Sequence, residues 1–505
     1  MADPFELYKP LRNHLRQVNL TDSLRVIHAY MQHLQFDQPL PDDIQTLPFF
    51  RNAKTRLEKH VLEWELDTLS LELLVNAVYP DSPLPRDTLR RWDCLAGVVN
   101  KLKTLEDGLV GLYPSGSGLR EIHRIAHRQF PWQRRPNSSS IARYFKIFSQ
   151  PDLHAIFERT IGLGARELYR FGLVLTGHFL TAFSMEYPPR IEIPDLSRTK
   201  LDVLLGRIAQ PIDALRRLAR ERHVVDATYA YLFNPLREYP LARQLLNGRE
   251  YLLAPIPTFL FHRFTEGVYY EINRETGFAD AFGNSFQAYV GEVIKRATAG
   301  TALAVYPEAE YWVGKNRKDT ADWVVTDDTA ALFVECKTKR LRLQAKTDID
   351  SPETLERELA ILILSLVQIY KTLRDYQLGY YPNIPARQNQ KIYPVVVTLE
   401  EWFAFGPEII REIDLRLHES LAAEGLDPSV ARAMPYSLVS TSDFERLVQV
   451  IATAGIDPVL AKKTIDPEPR QWTMEAFLRH AFLGELKSTS FLFPEVMEEI
   501  VPEQG

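Results

Sequence analysis

The sequence predicts a large all-α N-terminal region followed by an α/β domain whose mixed sheet is flanked by helices. Three observations predict it. Residues 1 to about 230 carry apolar side chains at helical spacing, punctuated by proline- and glycine-bearing breaks. The texture changes near Tyr251, where aromatic and β-branched residues run through 259–272. From 282 to 403 the pattern reads helix, strand, strand, strand, long helix, strand, the alternation of an α/β core.

Taken in order, 57–78 mixes leucines and valines at helical spacing with glutamates, and helical texture returns at 90–109, 140–148, 165–183 and 201–222. The breaks fall at Pro80, Pro83, Pro85, the glycine-rich 111–118, Pro136-Asn137 and Pro188-Pro189. In the second half a helix over 282–297 precedes the strands. A long helix over 352–378 is apolar along Leu355, Leu359, Leu362, Leu366, Ile369 and Leu373, and so packs on the sheet. The last strand of that core is 391–399. A helix at 408–423, a strand at 436–439 and helices at 443–451 and 474–482 follow. This divides the chain into a helical recognition or oligomerisation region (1–240), the α/β domain (250–420) and a C-terminal α/β extension packing on it (421–505).

A chain of 505 residues is too long for one hydrophobic core. Its net charge of −6 gives no global attraction to nucleic acid, so any such binding needs local patches. Two distant cysteines, Cys94 and Cys336, form no disulfide framework and point to a reducing compartment. The opening residues Met1-Ala2-Asp3-Pro4-Phe5-Glu6 lack the basic and apolar segments expected of a signal peptide. The best apolar stretches, 171–183 and 359–369, are too short to span a bilayer and carry His178 and Gln368. A soluble, cytoplasmic protein without membrane contact is expected. There is no Walker A sequence, no dinucleotide-binding glycine fingerprint and no Gly-x-Ser-x-Gly elbow, so an ATP-driven step would need a separate ATPase partner.

The chemistry concentrates at Glu335-Cys336-Lys337, at the end of the apolar run that begins at Ala330. A strand repeats every two residues, so Glu335 and Lys337 share one face and Cys336 takes the other. Asp322 opens an earlier apolar run, and the polar turn Thr326-Asp327-Asp328-Thr329 would fold the two runs into a hairpin that carries Asp322 towards the pair. Two carboxylates beside an amine suit a divalent cation with phosphodiester hydrolysis as its chemistry. Magnesium prefers oxygen ligands and keeps several waters, so two carboxylates and a substrate phosphate oxygen suffice.

Residues 282 to 400 resemble the PD-(D/E)XK nuclease superfamily, with its restriction-endonuclease-like fold. The resemblance implies Mg2+ (or Mn2+) held by Asp322 and Glu335, with Lys337 positioning or activating the attacking water. In that family a helix supplies a further glutamate, often after a phenylalanine; here Phe286 is followed by Gln287. A helical wheel puts Gln287 at the edge of the face formed by Phe286, Val290, Val293, Ile294 and Ala297, and turns Glu292 towards solvent. Gln287 is therefore expected near the metal. Glu310 is a candidate for the missing charge.

DNA is the expected partner. Lys315, Arg317 and Lys318 precede Asp322, and Lys339 and Arg340 follow the pair, on a surface suited to a phosphate backbone once metal offsets the acids. Arg134 and Arg135 belong to a second basic cluster with aromatics interspersed between Arg120 and Lys146. Gln368 resembles the glutamine that follows the lysine in the RecB-like branch. The resemblance implies a metal-dependent DNA endonuclease, in the manner of a restriction or phage-defence effector, with a homodimer or a defence-system partner as companions. The competing expectation is a catalytically impaired nuclease-fold subunit that binds nucleic acid or protein, for which Gln287 is the argument.

Overall fold

The computed structural model describes residues 3–47, 60–79, 87–112, 125, 128–132, 135–190, 197–338, 352–384, 387, 389–402 and 404–501. The chain divides into two compact units. The first comprises Met1–Asn137, Ile156–Arg274 and Glu499–Gly505, the second Ser138–Ala155 and Glu275–Glu498.

The N-terminal region is built from helices that include Pro4–Leu15, Leu20–Phe36, Glu63–Asn76, Trp92–Leu112 and Ala165–Phe179. Asp3 and Asn19 cap the first two, accepting from Phe5 N–H and Asp22 N–H, both at 2.9 Å. Their apolar stripes bury Leu11, Leu24, Ile27, Leu66, Leu73, Val98 and Leu102 in one core. Charges enter it only with partners: the fully buried Glu72 accepts from Tyr8 Oη (2.8 Å), Tyr229 Oη (2.9 Å) and Asn76 Nδ2 (2.9 Å), and meets His223 Nε2 at 2.6 Å. Those donors replace the water the carboxylate has lost.

The expected helix over 201–222 is two helices, Arg198–Ile208 and Ile212–Arg222. Pro211 has no N–H to continue the first, and the chain extends there instead. That segment, β2 (Ala209–Pro211), joins β1 (Ser184–Glu186), β3 (Leu241–Leu246) and β4 (Arg249–Leu253) in a small sheet of order β1-β4-β3-β2. Asn247 (φ 49°) and Gly248 (φ 78°) make the tight β3–β4 turn, where both central residues need positive φ.

The second unit is the mixed α/β domain. Its sheet has the order β11-β10-β9-β8-β5, from β5 (Ala304–Pro307), β8 (Trp323–Thr326), β9 (Ala330–Lys337), β10 (Lys391–Thr398) and β11 (Ser437–Ser440). β5, β8 and β9 run antiparallel; β10 and β11 continue parallel to β9. The helix Pro352–Gln377 lies between β9 and β10 in sequence, as a parallel crossover requires. It covers the face that carries Phe333, whose ring lies 4.9 Å from Tyr376. The helix Phe278–Ala297 covers the opposite face at Trp323, and this pair touches so closely that Gly291 leaves no room for a Cβ. Where three strands are expected before the long helix there are five. The additional pair, β6 (Glu310–Val313) and β7 (Asn316–Asp319), is a two-stranded ribbon outside the sheet. Buried Asp375 of the long helix fastens it, accepting from Tyr311 Oη (2.9 Å) and Lys318 Nζ (2.5 Å). Among the described residues, no helix is long and apolar enough to cross a membrane.

Candidate metal centre

The turn between β8 and β9 sets the register. Asp327 Oδ1 accepts from Thr329 N–H and Ala330 N–H, both at 2.8 Å, which closes the turn around its own side chain. Trp323 then pairs with Val334, and one further step along the ladder puts Asp322 opposite Glu335. The Asp322 carboxylate also accepts the N–H of Cys336 at 2.6 Å, which fixes it against the end of β9. On the other side, Pro307 pairs with Trp323, and the ladder runs on through a bond from Glu308 N–H to the Asp322 carbonyl at 2.9 Å.

Glu308, Asp322 and Glu335 therefore occupy one row across three adjacent strands. Residues directly opposite one another share a sheet face, with neighbouring strands about 4.8 Å apart. Lys337 stands one pleat further along the same face, its ammonium 2.7 Å from Glu335 and 3.5 Å from the amide oxygen of Gln368. In the long helix, Gln368 thus faces this end of the sheet.

Asp322 and Glu335 are both held above their ordinary values. Burial first, then the Glu335 charge and, less strongly, Glu308, push the Asp322 carboxyl up to about 7, against the lowering effect of the Cys336 N–H bond. Burial also raises Glu335, with Lys337 opposing the shift and Glu308 adding to it. For Lys337 burial favours the neutral amine, but the adjacent Glu335 and then Asp322 outweigh it and raise its pKa. The lysine is a cation. Three carboxylates and one ammonium leave a formal charge of −2 at this end of the sheet, where Glu335 is buried, Asp322 and Lys337 are half-buried and Glu308 is exposed.

The remaining expected residues divide. Gln287 Nε2 donates to Glu308 at 2.9 Å, and the Gln287 carbonyl accepts from Trp323 Nε1 at 3.0 Å, so this residue reaches the acidic row through Glu308. Glu292 instead pairs with Lys146 at 2.8 Å. Glu310 lies on the ribbon, 2.8 Å from Arg317, and Glu308 takes the place in the row considered for it. Sequence reasoning misses Glu308 because the ribbon separates it from Asp322. Its signal is Pro307-Glu308 at the end of a short apolar run, and only the β5–β8 register gives that acid a direction.

Lys315 is exposed at the ribbon's turn, Arg317 pairs with Glu310, and Lys318 is held by Asp375. In the second basic cluster Arg128 pairs with Glu106 (3.0 Å), Arg135 with Asp37 (3.1 Å) and Arg143 with buried Glu445 (2.7 Å). These partners absorb charge that a phosphate backbone would otherwise meet. Arg134, Lys339 and Arg340 lie outside the described residues.

A different donor set stands in the N-terminal region. His14, Asp87 and Cys94 place their ligand atoms within 4.8 Å of one another, a cluster capable of coordinating a metal ion. A scan against protein-family models and searches of curated proteins and solved structures return no match to this chain.

Proposed function

We propose that this protein is a metal-dependent DNA endonuclease of the PD-(D/E)XK type. The observation that carries the reading is the row Glu308–Asp322–Glu335 with the Lys337 cation beside it. Asp322 and Glu335, joined by Glu308, would hold Mg2+ or Mn2+. Such an ion lowers the pKa of water and offsets charge on the phosphate under attack. Gln287 holds the Glu308 carboxylate in place. Lys337, kept protonated by Glu335 and Asp322, is suited to orient water or to donate to a phosphate oxygen. A lysine with a raised pKa is a poor general base. The alternative of an impaired nuclease-fold subunit rests on Gln287 replacing the helix glutamate, and Glu308 supplies the carboxylate that the helix lacks.

The ribbon supports DNA as the partner. It springs from the backbone next to Glu308 and returns at Asp322, and it presents Trp312, 60% exposed, opposite Arg317 with Lys315 at its tip. An exposed indole suits base stacking, with Lys315 at the tip for a phosphate contact and Arg317 shared with Glu310. Trp312→Ala is expected to weaken oligonucleotide binding roughly tenfold, the effect of losing one stacked base. Fluorescence anisotropy in EDTA reads binding without cleavage, and unchanged affinity would remove the ribbon from the interface. A cytoplasmic restriction or phage-defence role, a homodimer and an ATPase or defence partner complete the proposal.

Supercoiled plasmid, linear duplex and single-stranded DNA incubated with Mg2+ or Mn2+ test the activity. Cutting is expected from the wild type, with a drop of about a hundredfold or more in Asp322→Ala and Lys337→Ala. Equal cutting by all three proteins would sink the assignment.

A further inference from the structure

We propose that His14, Asp87 and Cys94 bind a zinc ion, at a site distinct in place and chemistry from the acidic row of the sheet. The three donors come from separate backbone segments. His14 lies in the last turn of the helix Pro4–Leu15 and Cys94 in the first turn of Trp92–Leu112. Asp87 lies in the segment before the second helix, anchored by its own N–H to the Gln17 carbonyl at 3.1 Å. Its Oδ1 is taken by Thr88 N–H at 2.9 Å, which directs Oδ2 at the histidine.

Two of the three donor–donor edges have the length expected of ligands on one ion. His14 Nε2 is 3.3 Å from Asp87 Oδ2 and 3.5 Å from Cys94 Sγ. A tetrahedral zinc, about 2.0–2.1 Å from nitrogen and oxygen and about 2.3 Å from sulfur, sets an N···O edge of about 3.3–3.4 Å and an N···S edge of about 3.5–3.6 Å. Thiolate, imidazole and carboxylate together suit zinc better than magnesium.

Two cations adjoin the site. Arg91 Nη1 is 3.9 Å from the Asp87 Oδ1 atom that faces away from His14. Lys101 Nζ is 3.2 Å from His14 Nδ1 and has a second acceptor in the Gly97 carbonyl at 3.3 Å. It can turn to that carbonyl when Nε2 takes the metal and Nδ1 carries the proton. On binding, the Cys94 S–H bond breaks as the S–Zn bond forms, and one proton passes to solvent. Neutral His14, the Asp87 carboxylate and the Cys94 thiolate balance the ion's charge. Three protein donors among the described residues leave a fourth tetrahedral position for water.

The test uses the full chain, dialysed free of metal and then given Zn2+ or Co2+ alone. One tightly held equivalent of zinc is expected, and Co2+ should give the near-ultraviolet thiolate charge-transfer band of a sulfur-ligated ion. Cys94→Ala and His14→Ala should lose the tight equivalent and the band, whereas Asp322→Asn should keep both. Absence of the band in the wild type, or its survival in Cys94→Ala, overturns the proposal. If those variants fail to fold, Cys336→Ala decides: it should keep the band, and its loss there overturns the proposal. Neither outcome depends on whether the protein cuts DNA.

Discussion

Asp322→Asn is expected to raise the thermal stability of the metal-free protein at pH 8 while removing DNA cleavage. Burial, and then the charge of Glu335, push the Asp322 carboxyl from its ordinary 3.8 up to about 7 in the folded chain. The folded state therefore holds this proton more tightly than the unfolded chain does. Its contribution to stability is full below pH 3.8 and is lost progressively as pH rises through 7. Above that, ionised Asp322 costs the metal-free fold on the order of 4 kcal/mol at most. Asparagine removes the charge, and its side-chain oxygen still accepts the Cys336 N–H. Melting curves in EDTA should show a gain for the variant at pH 8 that vanishes near pH 4. Added Mg2+ should stabilise the wild type at pH 8 and leave Asp322→Asn nearly unchanged. A variant less stable than the wild type at pH 8 in EDTA would mean that the carboxylates are not in conflict.

Gly291→Ala is expected to destabilise the α/β domain by about 3 kcal/mol or more, beyond the usual cost of an overpacked core site. A Cβ at this position would meet Trp323 Cζ2 at 1.9 Å and Cε2 at 2.5 Å. The indole cannot swing away cheaply, because it is buried, donates to the Gln287 carbonyl at 3.0 Å and lies 5.0 Å beneath the Lys295 ammonium. Helix and strand must separate, and with them Gln287 and the neighbour of Asp322. Cleavage should fall with stability. Urea unfolding of Gly291→Ala, Trp323→Leu and the double variant measures the clash, since a smaller side chain at 323 should recover much of the loss. Full additivity of the two single effects would place the Trp323 ring elsewhere.

The parts of this site that follow from a strand's period of two are legible in the sequence. Glu335 and Lys337 share a face for that reason, and the polar turn at 326–329 is enough to bring Asp322 back along β9. The helix period places Gln287 and Glu292 on different sides, and they meet Glu308 and Lys146 respectively. What sequence cannot supply is alignment between strands that are not joined by a tight turn. Glu308 reaches the row only because β5 pairs with β8 across the ten-residue ribbon Glu310–Asp319, whose charged residues read as a loop. The three-residue strands at 184–186 and 209–211 are too short to express any period, so these two edges of the small sheet leave no trace in the pattern, whereas Asn247-Gly248 marks the β3–β4 hairpin between them. His14, Asp87 and Cys94 are likewise brought together by helix packing, at spacings that match no metal motif.

Binding of Mn2+ at pH 7.5, followed by the loss of the free-ion electron paramagnetic resonance signal, tests the acidic row most directly. The wild type should take up a Mn2+ equivalent that Asp322→Asn loses, that Glu308→Gln holds more weakly and that Glu310→Gln and Cys94→Ala retain. The same affinity in the wild type, Asp322→Asn and Glu308→Gln would contradict a metal centre built on Glu308, Asp322 and Glu335.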